Sequence, residues 1–140
     1  GAEKSRGSKT FALAGKIVVS TVVPMSLEGG RASLLAVPEG SAAQQEHALL
    51  PGATVVAAFQ NLSAKKLLKG GPLEADVVVC ADDAAAKKRI IELAAQIEGV
   101  RGVDGGALAN AQMVEGITVL LVSINRNYKT QAGIRIAGIA

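Results

Sequence analysis

Aromatic side chains are nearly missing from this chain: with one Tyr, two Phe and no Trp, they make up 2% of the 140 residues. A core built without them must be filled by Ala, Val, Leu and Ile, which suits helices packed closely on a parallel sheet. Cysteine occurs once, at Cys80, so an internal disulfide is excluded, and a reducing, cytoplasmic setting is expected. His47 is the one histidine and has no cysteine near it, which argues against a zinc-type metal centre and for a solvated helix residue. No apolar run is read as reaching the roughly 18 residues that a membrane helix needs. The formal net charge of +3 comes from residues 1–16, where Lys4, Arg6, Lys9 and Lys16 face Glu3 alone; the remaining 11 basic and 11 acidic residues balance. Without a cationic stripe interleaved with aromatics, nucleic acid is not an expected partner, and neither is a membrane. A nucleophile elbow, a Walker loop, a Cys-x-x-Cys pair and a Gly-x-Gly-x-x-Gly turn are all absent. Gly99, Gly102 and Gly105 have the wrong spacing for the last of these and follow a helix rather than a strand.

The remaining pattern is α/β. Gly15 to Pro24 is a continuous β-branched run that reads as a buried parallel strand ended by proline. Residues 26–40, with Gly29-Gly30, Pro38 and Gly40, read as an ordered loop. Ser41 is a good N-cap for a helix over about 42–50, stopped by Pro51-Gly52. Ala53–Phe59 is the second strand, and Ser63 opens a short helix through Leu68. Asp76–Cys80 is the third strand, and Asp82-Asp83 opens a helix over Ala84–Glu98. Val100–Asp104 is a fourth strand, and residues 108–126 form a long final helix. The alternation predicts a Rossmann-like, mostly parallel sheet flanked by helices. Residues 1–13 are expected to be a flexible leader, a cloning remnant or a cut end, and 14–140 the folded part.

Ligands of open α/β sheets sit beyond the carboxyl ends of the strands, which directs attention to Ser20-Thr21, Gln60-Asn61-Leu62, Asp82-Asp83 and Asp104-Gly105-Gly106. Helix capping accounts for Asp82-Asp83, with an acid pair or magnesium site as the alternative. Asp104 either braces its glycine turn or faces a ligand. Cys80, after three valines, reads as a buried strand end rather than a reactive thiol. On the last helix Thr118 and Ser123 either back-bond to the helix or serve a site, while Glu115, Asn125 and Arg126 are candidates for buried polar contacts.

Short motifs in a fixed order carry a resemblance. They are Gly15-Lys16-Ile17-Val18-Val19, Ser41-Ala42-Ala43, Val55-Val56-Ala57-Ala58-Phe59, Asp76-Val77-Val78-Val79-Cys80 with Asp82-Asp83, Val103-Asp104-x-Gly106 and Leu108-x-Asn110-Ala111. They continue through Val114-Glu115-x-x-Thr118, Asn125-Arg126-x-Tyr128-Lys129 and Ala132-Gly133-Ile134-Arg135-Ile136. From about Ala14 onward the chain resembles the C-terminal two-thirds of the coenzyme F420-dependent NADP oxidoreductases. The resemblance implies hydride transfer between NADP(H) and the deazaflavin F420, no metal, and an N-terminal dinucleotide-binding half that these residues do not supply. It implies catalytic roles for Gln60 and Thr118, and cofactor contacts at Pro24, Leu62, Val122, Ala132 and Gly133. Gln60 stands where some relatives carry a His, Ala107 and Val119 where Pro is usual, and Gln112 where Arg is frequent. A sheet without that N-terminal half should expose a bare strand edge and an apolar face along Ile17–Val23, so a homo-oligomer, a homodimer first, or a complementing Rossmann portion docked there is expected. The competing reading is a non-catalytic α/β binding or assembly module that kept the fold without NADP binding.

Overall fold

The computed structural model describes residues 13–140. Residues 1–12 of the expected leader lie outside that range, and Leu13 begins the turn that leads into the first strand. Strand β1 (Ile17–Ser20) pairs in parallel with β4 (Thr54–Ala57), Ile17 opposite Thr54 and Ser20 opposite Ala57. Strand β5 (Ala75–Val79) pairs in parallel with β6 (Val100–Asp104). The two ladders meet at their carboxyl ends through an antiparallel-type bridge: Ala57 N–H donates to Cys80 O at 2.8 Å and Cys80 N–H to Ala57 O at 2.9 Å. Helices α1 (Ala42–Leu49), α2 (Ala64–Lys69), α3 (Ala84–Ala95) and α4 (Ala111–Tyr128, preceded by a 3-10 turn over Leu108–Asn110) complete the expected order.

Alternation along the strands explains why their sequences are apolar throughout. Val56, Ala58, Val77 and Val79 join the core beneath α3, with Ala86, Ile90 and Ala94. Val55, Ala57 and Cys80 point the other way, into a second core with Ala43, Leu108, Ala111 and Val114. A strand covered on both faces loses the polar half of its period-two pattern. Small side chains dominate these contacts; Ala43, Ala94 and Ala111 are completely buried, which lets helix backbones approach the sheet.

Two expectations need correction. The loop expected over 26–40 begins as an antiparallel hairpin, β2 (Met25–Glu28) with β3 (Arg31–Leu34), and only 35–40 is loop and turn. Gly29 and Gly30 both take positive φ, +57° and +76°, the two-residue turn whose twist matches paired strands. Most hairpin residues are exposed, so the alternation that would have announced the strands is weak. The second correction concerns length: Leu108–Tyr128 is long and apolar enough, by size and composition alone, to cross a membrane. Gly116, Thr118 and Asn125 break the strictly apolar run, but Glu115 and Arg126 are its only charges. In this fold it lies against α1 and β3.

The tail after α4 is fastened beneath the β5–β6 pair. Arg101, directly across from Asp76, grips the fully buried Asp76 carboxylate with two bonds of 2.7 Å. Its Nη1 and Nη2 also donate to Ile139 O and Ile136 O, each at 2.8 Å. Asp76 in turn accepts from Ile136 N–H at 2.6 Å, and its own N–H donates to Ile134 O at 2.7 Å. The Arg101 guanidinium holds the Asp76 carboxyl below its ordinary value of 3.8, against an opposing push from burial. The folded state therefore takes up fewer protons in acid than the unfolded chain. This stabilisation is complete above about pH 5 and is lost as pH falls through the lowered Asp76 value. Asp76→Asn should lower the thermal midpoint at pH 7 by at least about 10 °C, because it leaves buried donors poorly matched. Thermal melts of both proteins should converge as pH drops toward 3; a constant gap across the range would contradict the assignment.

Candidate functional site

The carboxyl end of β4 leads into an unusual turn. Phe59 adopts φ +70°, a left-handed conformation that is costly for a bulky side chain and is held here by packing against the α3-side core. It directs Gln60 and Asn61 inward, and both are only 7% exposed. Asn61 Nδ2 donates to Val114 O at 3.0 Å and to Thr118 Oγ1 at 2.8 Å, while the Thr118 hydroxyl donates to Gln60 O at 2.7 Å. Thr118 thus ties the last helix to the strand end instead of back-bonding to its own helix. Four buried polar atoms in this neighbourhood of strand ends have no partner: Gln60 Oε1 and Nε2, Asn61 Oδ1 and Ser20 Oγ. A buried amide without hydrogen bonds costs on the order of 1–3 kcal/mol, so such a set marks either strain or a place for a ligand.

Gln60 and Asn61, but not Ser20, line a cavity of about 140 Å³ together with Leu62, Thr118, Leu121, Val122, Asn125 and Ala132. Asn125 shapes the far wall: its Oδ1 accepts from Ala132 N–H at 2.6 Å, folding the chain back after Lys129, which ends α4 at φ +51°. Five expected site residues, Gln60, Leu62, Thr118, Val122 and Ala132, therefore converge on one space. Gly133 faces the adjoining cleft, which shares Leu62 and Ser63 with this cavity. Pro24 lines neither; its carbonyl accepts from Leu35 N–H at 2.7 Å at the mouth of the hairpin. Asn61 and Asn125 were not among the residues singled out for cofactor contact, yet they fix the cavity's geometry. Only the αL turn at Phe59, invisible in sequence, reveals the role of Asn61.

Other candidates prove structural. Asp83 caps α3 by accepting from Ala86 N–H at 2.8 Å, and Asp82 accepts from Leu108 N–H at 3.0 Å. Asp104 accepts from Gly106 N–H at 2.8 Å and pairs with Lys87 at 3.1 Å; the Gly106 bond first, then Lys87, lowers its pKa. Cys80 is buried, and desolvation pushes its thiol up to about 11, so a thiolate nucleophile is not available there. Glu115, 1% exposed, accepts from Ala42 N–H at 2.8 Å and Ala43 N–H at 3.3 Å, binding α4 to the positive end of α1. Burial raises its pKa, and the two backbone bonds oppose that rise. His47 is exposed, and no group of three or more potential metal ligands occurs among the described residues. A larger concavity of about 870 Å³ lies between β1 and α3, lined by Ile17, Val19, Ile90 and Leu93. It has no unpartnered buried polar atom, so the smaller cavity at the strand ends is the candidate site.

The chain matches no family model. It is 42% identical over 131 residues to the F420-dependent NADP reductase of Methanocaldococcus jannaschii, covering 91% of this chain and 59% of that protein. With the enzyme of the same name from Methanothermobacter marburgensis it is 38% identical over 139 residues, covering 95% and 62% respectively. The chain is thus related along nearly its whole length to F420-dependent NADP reductases and spans 59–62% of theirs. A crystal structure from Arthrobacter sp. FB24, provisionally named an F420-dependent NADP reductase, superposes with a TM-score of 0.81 at 24% identity. That superposition covers 93% of this chain and 61% of the other and speaks for the shared fold. A hypothetical protein from Sinorhizobium meliloti follows at a TM-score of 0.56 and 24% identity, over 78% of this chain and 55% of that one.

Thr118→Val should test the knot at the site. It preserves shape but leaves Gln60 O and one Asn61 hydrogen unmatched, so urea unfolding should show a loss of about 1–2 kcal/mol. The Asn61 side-chain amide protons should also exchange faster with solvent. An unchanged midpoint with unchanged Asn61 protection would contradict the bonding described.

Proposed function

We propose that this chain forms the deazaflavin side of an oxidoreductase that moves a hydride between NADP(H) and coenzyme F420 without a metal. The observation that carries the reading is the Gln60 amide, buried with both polar atoms unpartnered, at an uncharged cavity of mixed aliphatic, amide and hydroxyl lining at the strand ends. The identity to enzymes named F420-dependent NADP reductases supports the same choice of cofactors.

The residues suit one edge of a flat heteroaromatic ring. Gln60 offers one donor and one acceptor side by side, and Asn61 Oδ1 adds a second acceptor, a set that pairs with the amide-like edge of a deazaflavin. At about 140 Å³ the cavity takes that edge rather than a whole tricyclic ring, so the rest of the ring would lie across its mouth. When bound, the two cofactors supply the hydride donor and acceptor; the protein supplies orientation and a dry surface. Gln60 binds and orients the ring edge. Thr118 is a positioning residue, holding the Gln60 carbonyl and the Asn61 amide in place. Leu62, Val122 and Ala132 exclude water, with Gly133 on the adjoining cleft. Titration of coenzyme F420 into the protein should change its fluorescence, and Gln60→Leu should weaken binding about tenfold, equivalent to roughly 1.4 kcal/mol. Fluorescence unaltered by the wild-type protein would sink the reading.

NADP requires a phosphate-binding turn that residues 14–140 do not contain, so we assign that role to a complementing Rossmann portion. Among the described residues β1 pairs only with β4, which leaves its other edge beside the groove formed with α3. An added strand and helix would satisfy both. The same flank, with exposed Val22 nearby, supports self-association into a homodimer in the absence of such a portion. The single buried, reduced cysteine supports a cytoplasmic location. Sedimentation at high micromolar concentration should show species heavier than the 14.2 kDa chain, and Ile17→Lys should shift them toward monomer. A monomer at every concentration would contradict the assignment of this edge.

A further inference from the structure

Next to the ring cavity lies a second, larger cleft of about 280 Å³, between α2 and the chain after α4. The two share Leu62 and Ser63, and Ser63 Oγ donates to Gln131 Oε1 at 3.0 Å across the boundary. Their character differs. The first is uncharged, mixing aliphatic side chains with amides and hydroxyls, whereas the lining of the second includes two lysines, Lys66 and Lys69, and one carboxylate, Glu74. Neither lysine makes an ion pair with any described residue. The rim at Gly70 and Gly71 has positive φ, and a Cβ at either would meet nothing within 4 Å, so the cleft is open along that side.

Two unpaired cations over a concavity that continues from an uncharged ring slot form a pattern for one ligand with a neutral and an anionic part. Its flat portion enters the slot while its acidic portion follows the surface outward. We infer that the Lys66–Lys69 cleft binds the phosphate- or carboxylate-bearing chain of the ligand whose ring edge meets Gln60. This rests on the functional reading above, since it takes the ring slot as given. It adds a separate subsite, recognised by charge and not by shape. Lys66 and Lys69 sit three residues apart on α2, on one face of that helix. Anionic groups spaced along a flexible chain can reach both without an enforced geometry, which suits mobile ammonium groups better than a guanidinium clamp. Glu74 opposes one of the charges and keeps the cleft from acting as an indiscriminate anion trap.

Fluorescence titration of the intact protein with two probes tests this. One is coenzyme F420; the other is its deazaflavin core carrying no acidic groups. Lys66→Ala/Lys69→Ala should weaken F420 binding roughly tenfold, with the neutral core within about twofold of wild type. Raising salt should erase most of the difference between the two proteins, because the lysines are exposed. Lys66→Arg/Lys69→Arg should restore F420 affinity, and Lys65→Ala, outside the cleft, should leave it unchanged. Equal losses for both probes, or an unchanged F420 affinity, would overturn the inference while leaving the ring site standing. Failure of either deazaflavin probe to bind wild type would remove the functional reading and this subsite together.

Discussion

Polar groups set within the buried side of the last helix govern this structure. Glu115, Thr118 and Asn125 fall on the side of α4 that meets the protein, while Met113 and Leu120 stand 63% and 60% exposed on the other side. A surface helix ordinarily buries its apolar stripe and solvates its polar one. Here each inward polar group answers a specific backbone need: Glu115 the amino end of α1, Thr118 the turn after β4, Asn125 the returning tail. These bonds bridge 73, 58 and 7 residues of sequence respectively, so one helix organises three distant segments around the strand ends. Ala111, Val114 and Leu121 are buried on that same side, so the helix packs its apolar stripe and carries these polar groups within it.

Small residues make the arrangement possible. With Ala43 and Ala111 fully buried, α1 and α4 lie close enough for a glutamate to reach backbone N–H groups across their junction. A core of aromatic side chains would hold those helices farther apart. Gln60 lies at the edge of the cavity with its amide atoms covered but unmatched. The left-handed turn at Phe59 and three of the four buried, unsatisfied polar atoms, those of Gln60 and Asn61, occur within three consecutive residues. Departures from local preference of this kind concentrate where a structure serves something besides its own stability.

A separate electrostatic device secures the opposite end of the sheet. Asp76 and Arg101 face each other across a parallel ladder and pull the tail carbonyls of Ile136 and Ile139 against it. Because Asn125 holds the start of that tail at the cavity, the chain from Ala132 onward is stretched between two anchors. The placement of Ala132 and Gly133 at the site thus depends on an ion pair at the far edge of the β5–β6 ladder.

Much of the architecture was readable along the chain. Continuous β-branched runs gave the four parallel strands, Ser41, Ser63 and Asp83 marked the helix starts by their capping chemistry, and the ordered motifs pointed to the relatives. The β2–β3 hairpin was not readable, because its exposed strands carry little periodicity and only the paired positive φ of Gly29 and Gly30 defines it. Nor could sequence say which polar residues of α4 face inward, since an apolar helix with scattered polar groups fits either orientation. Local propensity and patterning determined the elements and their order, since these depend on interactions within a few residues. Tertiary packing alone decided that Asn61, Thr118 and Asn125 would build one wall and leave Gln60 unpartnered, because hydrogen bonds between distant segments exist only once the segments have met.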